Sequence, residues 1–243
     1  REHGLAERDP SDDIDGIDTA NKIRILLNLI TNSYQKVPDF HIEGMRDINP
    51  QDIQYAAELG YAIKLVGAIE QENGSIFVGV HPALLPDDSL LGTLQGAYNG
   101  TELEDEYGVI SGLVAPGAGV YPTTVAVVKD LVDIVEGRTI PLPTSPEPLV
   151  IGSTGQTKRR YYLRFSVSNQ SGVLAQICNI FWKYKISISG VIQKEPVNTK
   201  FVPLVMTTYE AREKDILEAV KEVDELAVVK AATKLIRILS ADT

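Results

Sequence analysis

The stretch Tyr161-Tyr162-Leu163-Arg164-Phe165-Ser166-Val167, followed by Ser168-Asn169-Gln170-Ser171-Gly172-Val173-Leu174, decides how the C-terminal part of the chain is read. Leu163, Phe165 and Val167 alternate, which puts them on one face of a strand. Polar turn residues interrupt, and residues 173–184 then follow helical spacing, with Leu174, Ile177, Cys178 and Phe181 on one side. Outward from there, 186–193 and 201–207 read as strands. Residues 213–222 read as a helix burying Ile216, Leu217 and Val220, and 227–239 as a last strand. The order βαββαβ is the split ferredoxin-like arrangement, in which two helices cover one face of a four-stranded antiparallel sheet.

Upstream, Pro141, Pro143, Pro146 and Pro148, then Gly152, Ser153 and Gly155, mark 138–160 as a linker. The expected division is 1–137, a linker 138–160, and 161–239. The first part mixes strand and helix patterns. Asn49-Pro50 reads as a helix start, cap then first-position proline, with Gly60 closing that helix. Residues 61–71 and 75–81 read as strands joined by a Glu72-Asn73-Gly74 turn. Residues 96–103 and 107–114 are two more strands. Ala115-Pro116-Gly117-Ala118-Gly119 is a tight turn ahead of a helix that runs to about Glu136. The fold class is α+β throughout.

The densest chemistry lies at 7–22, where six carboxylates surround one lysine, Lys22. A helix follows, with Asp15 as its expected N-cap and a core stripe of Ala20, Ile23, Leu26, Leu27 and Ile30. Asp18 and Lys22 are four residues apart and share a face about 40° from that stripe, which places Lys22 at the edge of the buried surface. The bland reading is a solvated helix ion pair. The functional one is a proton donor, because carboxylates favour the ammonium while partial desolvation opposes it.

Composition narrows the classes. The net charge is −10 with no basic cluster, which argues against nucleic acid and against an anionic membrane surface. A hydrophobic fraction of 44% is enough for a real core, and no 18-residue apolar run reads as a membrane helix. Cys178 is the one cysteine and reads as a small buried residue, and a reducing, cytoplasmic setting is expected. His3, His41 and His81 lack metal-ligand spacing, and no P-loop, CxxC or Ser-His-Asp pattern is present.

Several of these motifs together resemble homoserine dehydrogenase. They are Glu7-Arg8-Asp9-Pro10 with Asp13, Gly16, Asp18, Ala20 and Lys22; Leu59-Gly60-Tyr61-Ala62-Ile63-Lys64-Leu65; Pro116-Gly117-Ala118-Gly119; and Pro122-Thr123 with Val127-Val128-Lys129-Asp130-Leu131. Residues 161–239 resemble an ACT domain, with Gly172-Val173-Leu174 at its ligand turn and Asn169 where that module usually has an acid. The resemblance implies a substrate and dimerisation domain with a mixed sheet covered by helices, then an ACT domain. It implies NAD(P)-dependent interconversion of L-aspartate 4-semialdehyde and L-homoserine, in threonine, methionine and isoleucine biosynthesis.

By the same resemblance, Lys22 is the general acid and Glu7 binds the substrate. Asp13 and Asp18 orient substrate and lysine, and Gly117 and Gly119 approach the cofactor. Asn169, Gln170, Gly172, Val173 and Leu174 would meet an amino-acid effector such as threonine. The family's Rossmann domain with its G-x-G-x-x-G turn is not among these residues. The chain therefore reads as a C-terminal portion that neither turns over alone nor holds NAD(P) tightly. The helix from Pro122 to Glu136 would pack toward that domain or lean on a neighbour. A homodimer or larger assembly is expected. Two other readings stand beside it: a non-catalytic amino-acid sensor that dimerises through its acidic half, and a structural oligomerisation module.

Overall fold

A computed structural model describes residues 9–72, 74–138, 142–147, 149–194 and 201–239. Glu7, His3 and Asn73 lie outside them. The first part contains α1 (Ser11–Ile14), α2 (Ile17–Ile30), β1 (His41–Ile42), α3 (Pro50–Glu58), β2 (Tyr61–Glu72) and β3 (Ser75–Pro86). It continues with β4 (Tyr98–Glu104), β5 (Ile110–Pro116) and α4 (Val120–Val135). A 3-10 turn at Thr154–Gln156 leads into β6 (Lys158–Ser168), α5 (Val173–Lys183), β7 (Ile188–Gln193), β8 (Phe201–Thr208), β9 (Ala211–Arg212), α6 (Glu213–Asp224) and β10 (Val229–Ile238).

The βαββαβ order is present, and its strands lie in the order β10-β6-β8-β7, all antiparallel. Tyr161, Leu163, Phe165 and Val167 face α5 and α6, where Phe165 meets Phe181 edge-on at 6.2 Å between ring centroids. Ile177, Phe181 and Ile216 are buried as expected, and Cys178 and Val220 pack at the edge of the same core. Leu174 and Leu217 are exposed, while Val173, Ile177, Ile180 and Phe181 on α5, and Ile216, Ala219 and Val223 on α6, are buried.

This sheet does not end at β10. Strand β3 pairs with β2 along its whole length on one edge, from Tyr61↔Pro86 to Glu72↔Ser75. Its other edge is shared. His41 and Ile42 of β1 pair in parallel with Gly79 and Val80, and Arg237 and Ile238 of β10 pair in parallel with Ala83 and Leu84. One mixed sheet thus runs through both halves of the chain. Its second face is covered where α3 lays Tyr55 and Ala56 on Leu84, Tyr162, Val205, Ile236 and Ile238. Asn49 and Asp52 form the capping box that starts α3 beside Pro50.

Helix α2 packs on the other end of the first sheet half. Ala20, Ile23 and Leu27 are buried against Val37, Val78 and Val80, while Ile30 at the expected end of the stripe is exposed. Gly67 of β2 permits this approach: a Cβ there would stand 2.4 Å from Ile23 Cγ1. The segment 138–160 is tied to the first half where its placement is described, through Ser145 beside Ser33 and Ile151 beside Ile76. β4 and β5 form a separate hairpin.

Candidate functional site

Helix α2 begins at Gly16, not at Asp15. Gly16 has φ +81°, and its carbonyl accepts the Ala20 N–H at 2.9 Å. Asp15 instead closes α1, and its carboxylate faces Arg46, whose Nη2 lies 2.8 Å from Asp15 Oδ2. The Asp15 carboxyl is held below its usual range first by that bond to Arg46, against a small opposing effect of burial. A cap was expected because Asp is a favoured N-cap, but a left-handed glycine turn between two helices leaves Asp15 pointing at a different partner. Asp9 accepts the Ser11 N–H at 3.1 Å and so starts α1.

Asp18 lies in the first turn of α2, with Oδ2 2.6 Å from Lys22 Nζ. The lysine side chain is 53% exposed in this chain, so it stands in solvent and not at the margin of the core. The correction follows from where the stripe ends: β2 covers Ile23, but no described element covers the flank that carries Lys22. An exposed i, i+4 pair contributes only about 0.3–0.5 kcal/mol to stability. Asp13, on α1, is exposed.

Gly117 and Gly119 join β5 to α4. A Cβ on Gly117 would stand 2.1 Å from Asn99 Nδ2, and Gly119 opens α4 with φ +125°, a value that favours glycine. No hydrogen bond or ion pair among the described residues joins this turn to Asp18 and Lys22. α4 itself has no buried residue: Tyr121, Val128, Leu131 and Ile134 are all exposed, as are Leu103 and Leu113 on the β4–β5 hairpin.

At the other end of the chain, a cavity of about 210 Å³ is lined by Gln170, Gly172, Val173, Leu174, Gln193 and Leu204, among others. Gly172, with φ +85°, caps α5 beside it, and the first-turn N–H groups of a helix have no intrahelical acceptors. Asn169 does not line this cavity, although the neighbouring Gln170 does. Exposed Leu174 is accounted for here, since it forms part of the wall.

No cluster of three or more metal-type ligands occurs among the described residues. His81 is buried with Nδ1 3.1 Å from Pro82 O, and burial pushes its pKa down to about 3. Cys178 is half-buried, and burial raises its thiol pKa, which disfavours the thiolate. Sequence reading passed over Glu43 and Arg46. No periodicity marks them, and only their partners reveal them.

A family profile described as homoserine dehydrogenase matches residues 1–132, more than half of the 243-residue chain. The chain belongs to the homoserine dehydrogenase family. A second profile, described as ACT domain, matches residues 161–228. A homoserine dehydrogenase of Helicobacter pylori is 32% identical over 97% of this chain and 56% of its own length. One of Neisseria gonorrhoeae is also 32% identical, over 98% of this chain and 57% of its own. The solved homoserine dehydrogenase of Thiobacillus denitrificans superposes with a TM-score of 0.84 at 31% identity, covering 98% of this chain and 56% of that one. The chain thus spans a little over half the length of the homoserine dehydrogenases it matches. It shares their α+β fold, a mixed sheet with helices followed by an ACT domain.

Proposed function

We propose that this chain carries the substrate-binding and proton-donating part of an NAD(P)-dependent oxidoreductase. The reaction is the interconversion of L-aspartate 4-semialdehyde and L-homoserine, on the route to threonine, methionine and isoleucine. The observation that carries the reading is the Asp18–Lys22 pair: 2.6 Å apart, rooted on a helix packed against the sheet, with the ammonium open to a ligand. Lys22 Nζ donates a proton to the carbonyl oxygen as negative charge develops there. Asp18 aims the lysine between turnovers. Glu7 holds the substrate ammonium, and Asp13 orients the substrate beside it.

The nicotinamide, when bound, supplies hydride to the carbonyl carbon. The Gly117–Gly119 turn suits close backbone approach to its flat ring at Gly119, which carries no Cβ, while Gly117 packs on the Asn99 side chain. Tight cofactor binding is assigned to a nucleotide-binding domain of the full-length enzyme. We assign 1–137 to the substrate domain, 138–160 to a linker and 161–239 to the ACT module. The cavity at Gln170, Gly172, Val173 and Leu174 fits a small amino-acid effector such as threonine, and Asn169 precedes the lining residue Gln170 in the chain. The bare apolar faces of α4 and the β4–β5 hairpin are what a nucleotide domain and a second copy of the chain would cover.

The deciding experiment is Lys22→Ala in the full-length enzyme. We expect kcat to fall by at least about 100-fold; near-normal turnover would falsify the assignment. This chain alone should show no NAD(P)H oxidation with the semialdehyde. Calorimetry with threonine tests the effector cavity, and an absence of heat and of thermal shift argues against it.

A further inference from the structure

The corner between α1 and α2, six residues before Lys22, rests on a four-residue segment after β1. Glu43 donates its N–H to Val80 O at 2.7 Å, and Met45 donates to Ile14 O at 2.8 Å. Between them, a Cβ on Gly44 would stand 2.6 Å from Ile14 O and 2.7 Å from Asp15 Cα. Glycine is what lets these two backbones touch. Arg46 closes the contact from outside, with Nη2 2.8 Å from Asp15 Oδ2 and 3.1 Å from Ser11 Oγ.

Glu43 is gripped from the opposite direction. Arg237 Nη1 lies 3.0 Å from its Oε2, and Lys234 Nζ lies 3.3 Å from its Oε1; both cations sit on β10 of the ACT module. Arg237 is 4% exposed, and its remaining nitrogens pair with Glu213 at the start of α6. Ion pairs therefore run from α6 and β10 to Glu43, and the three backbone steps from Glu43 to Arg46 carry the link on to Ile14 and Asp15, immediately before the Gly16 cap of α2.

We propose that Arg46 is a positioning residue for Lys22, and that the Arg237–Glu43 pair ties the placement of that corner to the last strand of the ACT module. The proposal rests on the reading of Lys22 as proton donor. Arg46 is 57% exposed, so its removal does little to stability. Proton transfer is far less forgiving, since a misplacement of about 1 Å can reduce a rate about 100-fold.

The test uses the full-length enzyme with kcat, KM and thermal midpoint measured for each variant. Arg46→Ala and Asp15→Asn should each lower kcat about 10-fold or more, with KM changed less than about threefold and folding intact. The two together should be no worse than either alone, and Arg46→Lys should recover most of the activity. Glu43→Gln should lower kcat in a way that is not additive with Arg46→Ala. Normal kcat in Arg46→Ala, beside a Lys22→Ala that is down 100-fold, overturns the positioning role and leaves the Lys22 reading standing. Additive effects of Glu43→Gln and Arg46→Ala overturn the tie to β10. Loss of kcat only in step with lost folding, without recovery by Arg46→Lys, reduces Arg46 to a structural residue. Near-normal turnover in Lys22→Ala overturns both readings.

Discussion

Asp52 on α3 receives the guanidinium of Arg164 on β6 through two bonds, Nε to Oδ1 at 2.6 Å and Nη2 to Oδ2 at 3.0 Å, with its side chain fully buried. The same carboxylate accepts the Tyr162 hydroxyl at 3.1 Å and the Asn49 N–H at 3.2 Å. It therefore caps its own helix and fastens that helix to the second face of the ACT sheet.

Asp52→Ala should destabilise the chain by about 3–5 kcal/mol, because it strands a largely buried guanidinium and removes one half of the α3 capping box, leaving the Asn49 cap in place. Pairing it with Arg164→Met should recover part of that loss, since the stranded charge is gone. Urea denaturation measures both. A single variant within about 1 kcal/mol of wild type would show that Arg164 has another outlet.

Gly67→Ala tests the seating of α2. The added methyl would overlap Ile23 Cγ1 at 2.4 Å and Cδ1 at 2.8 Å. Overpacking of this kind costs about 1–3 kcal/mol and pushes the helix off the sheet. Stability and kcat should fall together, unlike Arg46→Ala, where kcat falls alone. An unchanged urea midpoint would mean that Ile23 simply rotates away.

Acid should weaken the fold in two overlapping windows. Burial, helped by the nearby Arg237 charge, holds His81 neutral down to about pH 3, against 6.5 when unfolded. The unfolded chain therefore binds the extra proton, and stability falls as pH drops from 6.5 toward 3. Between pH 7 and 5 this amounts to at most about 2 kcal/mol. For Glu43, burial opposes ionisation, but the His41 ring 3.7 Å away and the charges of Arg237 and Lys234 outweigh it and bring the carboxyl to about 2. Its contribution is complete above its ordinary value of 4.5 and is lost as pH falls toward 2. His81→Asn should flatten the urea midpoint between pH 7 and 5; equal slopes in variant and wild type would remove His81 from the account.

The apolar hairpin supplies a prediction about assembly. Leu113 lies bare on β5, so light scattering at micromolar concentration should find a dimer or larger for this chain. Leu113→Asp should shift it toward monomer. A monomeric wild type would contradict the proposed self-association.

By itself, the sequence determined what is local. The alternation of Leu163, Phe165 and Val167, the Asn49-Pro50 start of α3, the β2–β3 hairpin and the spacing of Ala20, Ile23 and Leu27 each follow from steric and hydrophobic periods a few residues long. Asp18 and Lys22 pair because four residues make one helical turn. Only the tertiary structure decided that β3 divides one edge between β1 and β10, that α3 covers the second sheet face, and that Asp15 meets Arg46 instead of capping α2. It also showed Lys22 to be exposed and Arg237 to reach Glu43 from a strand nearly two hundred residues away in sequence. Such contacts have no period to read. They arise when distant surfaces match in shape and charge, and that match exists only once the chain has closed.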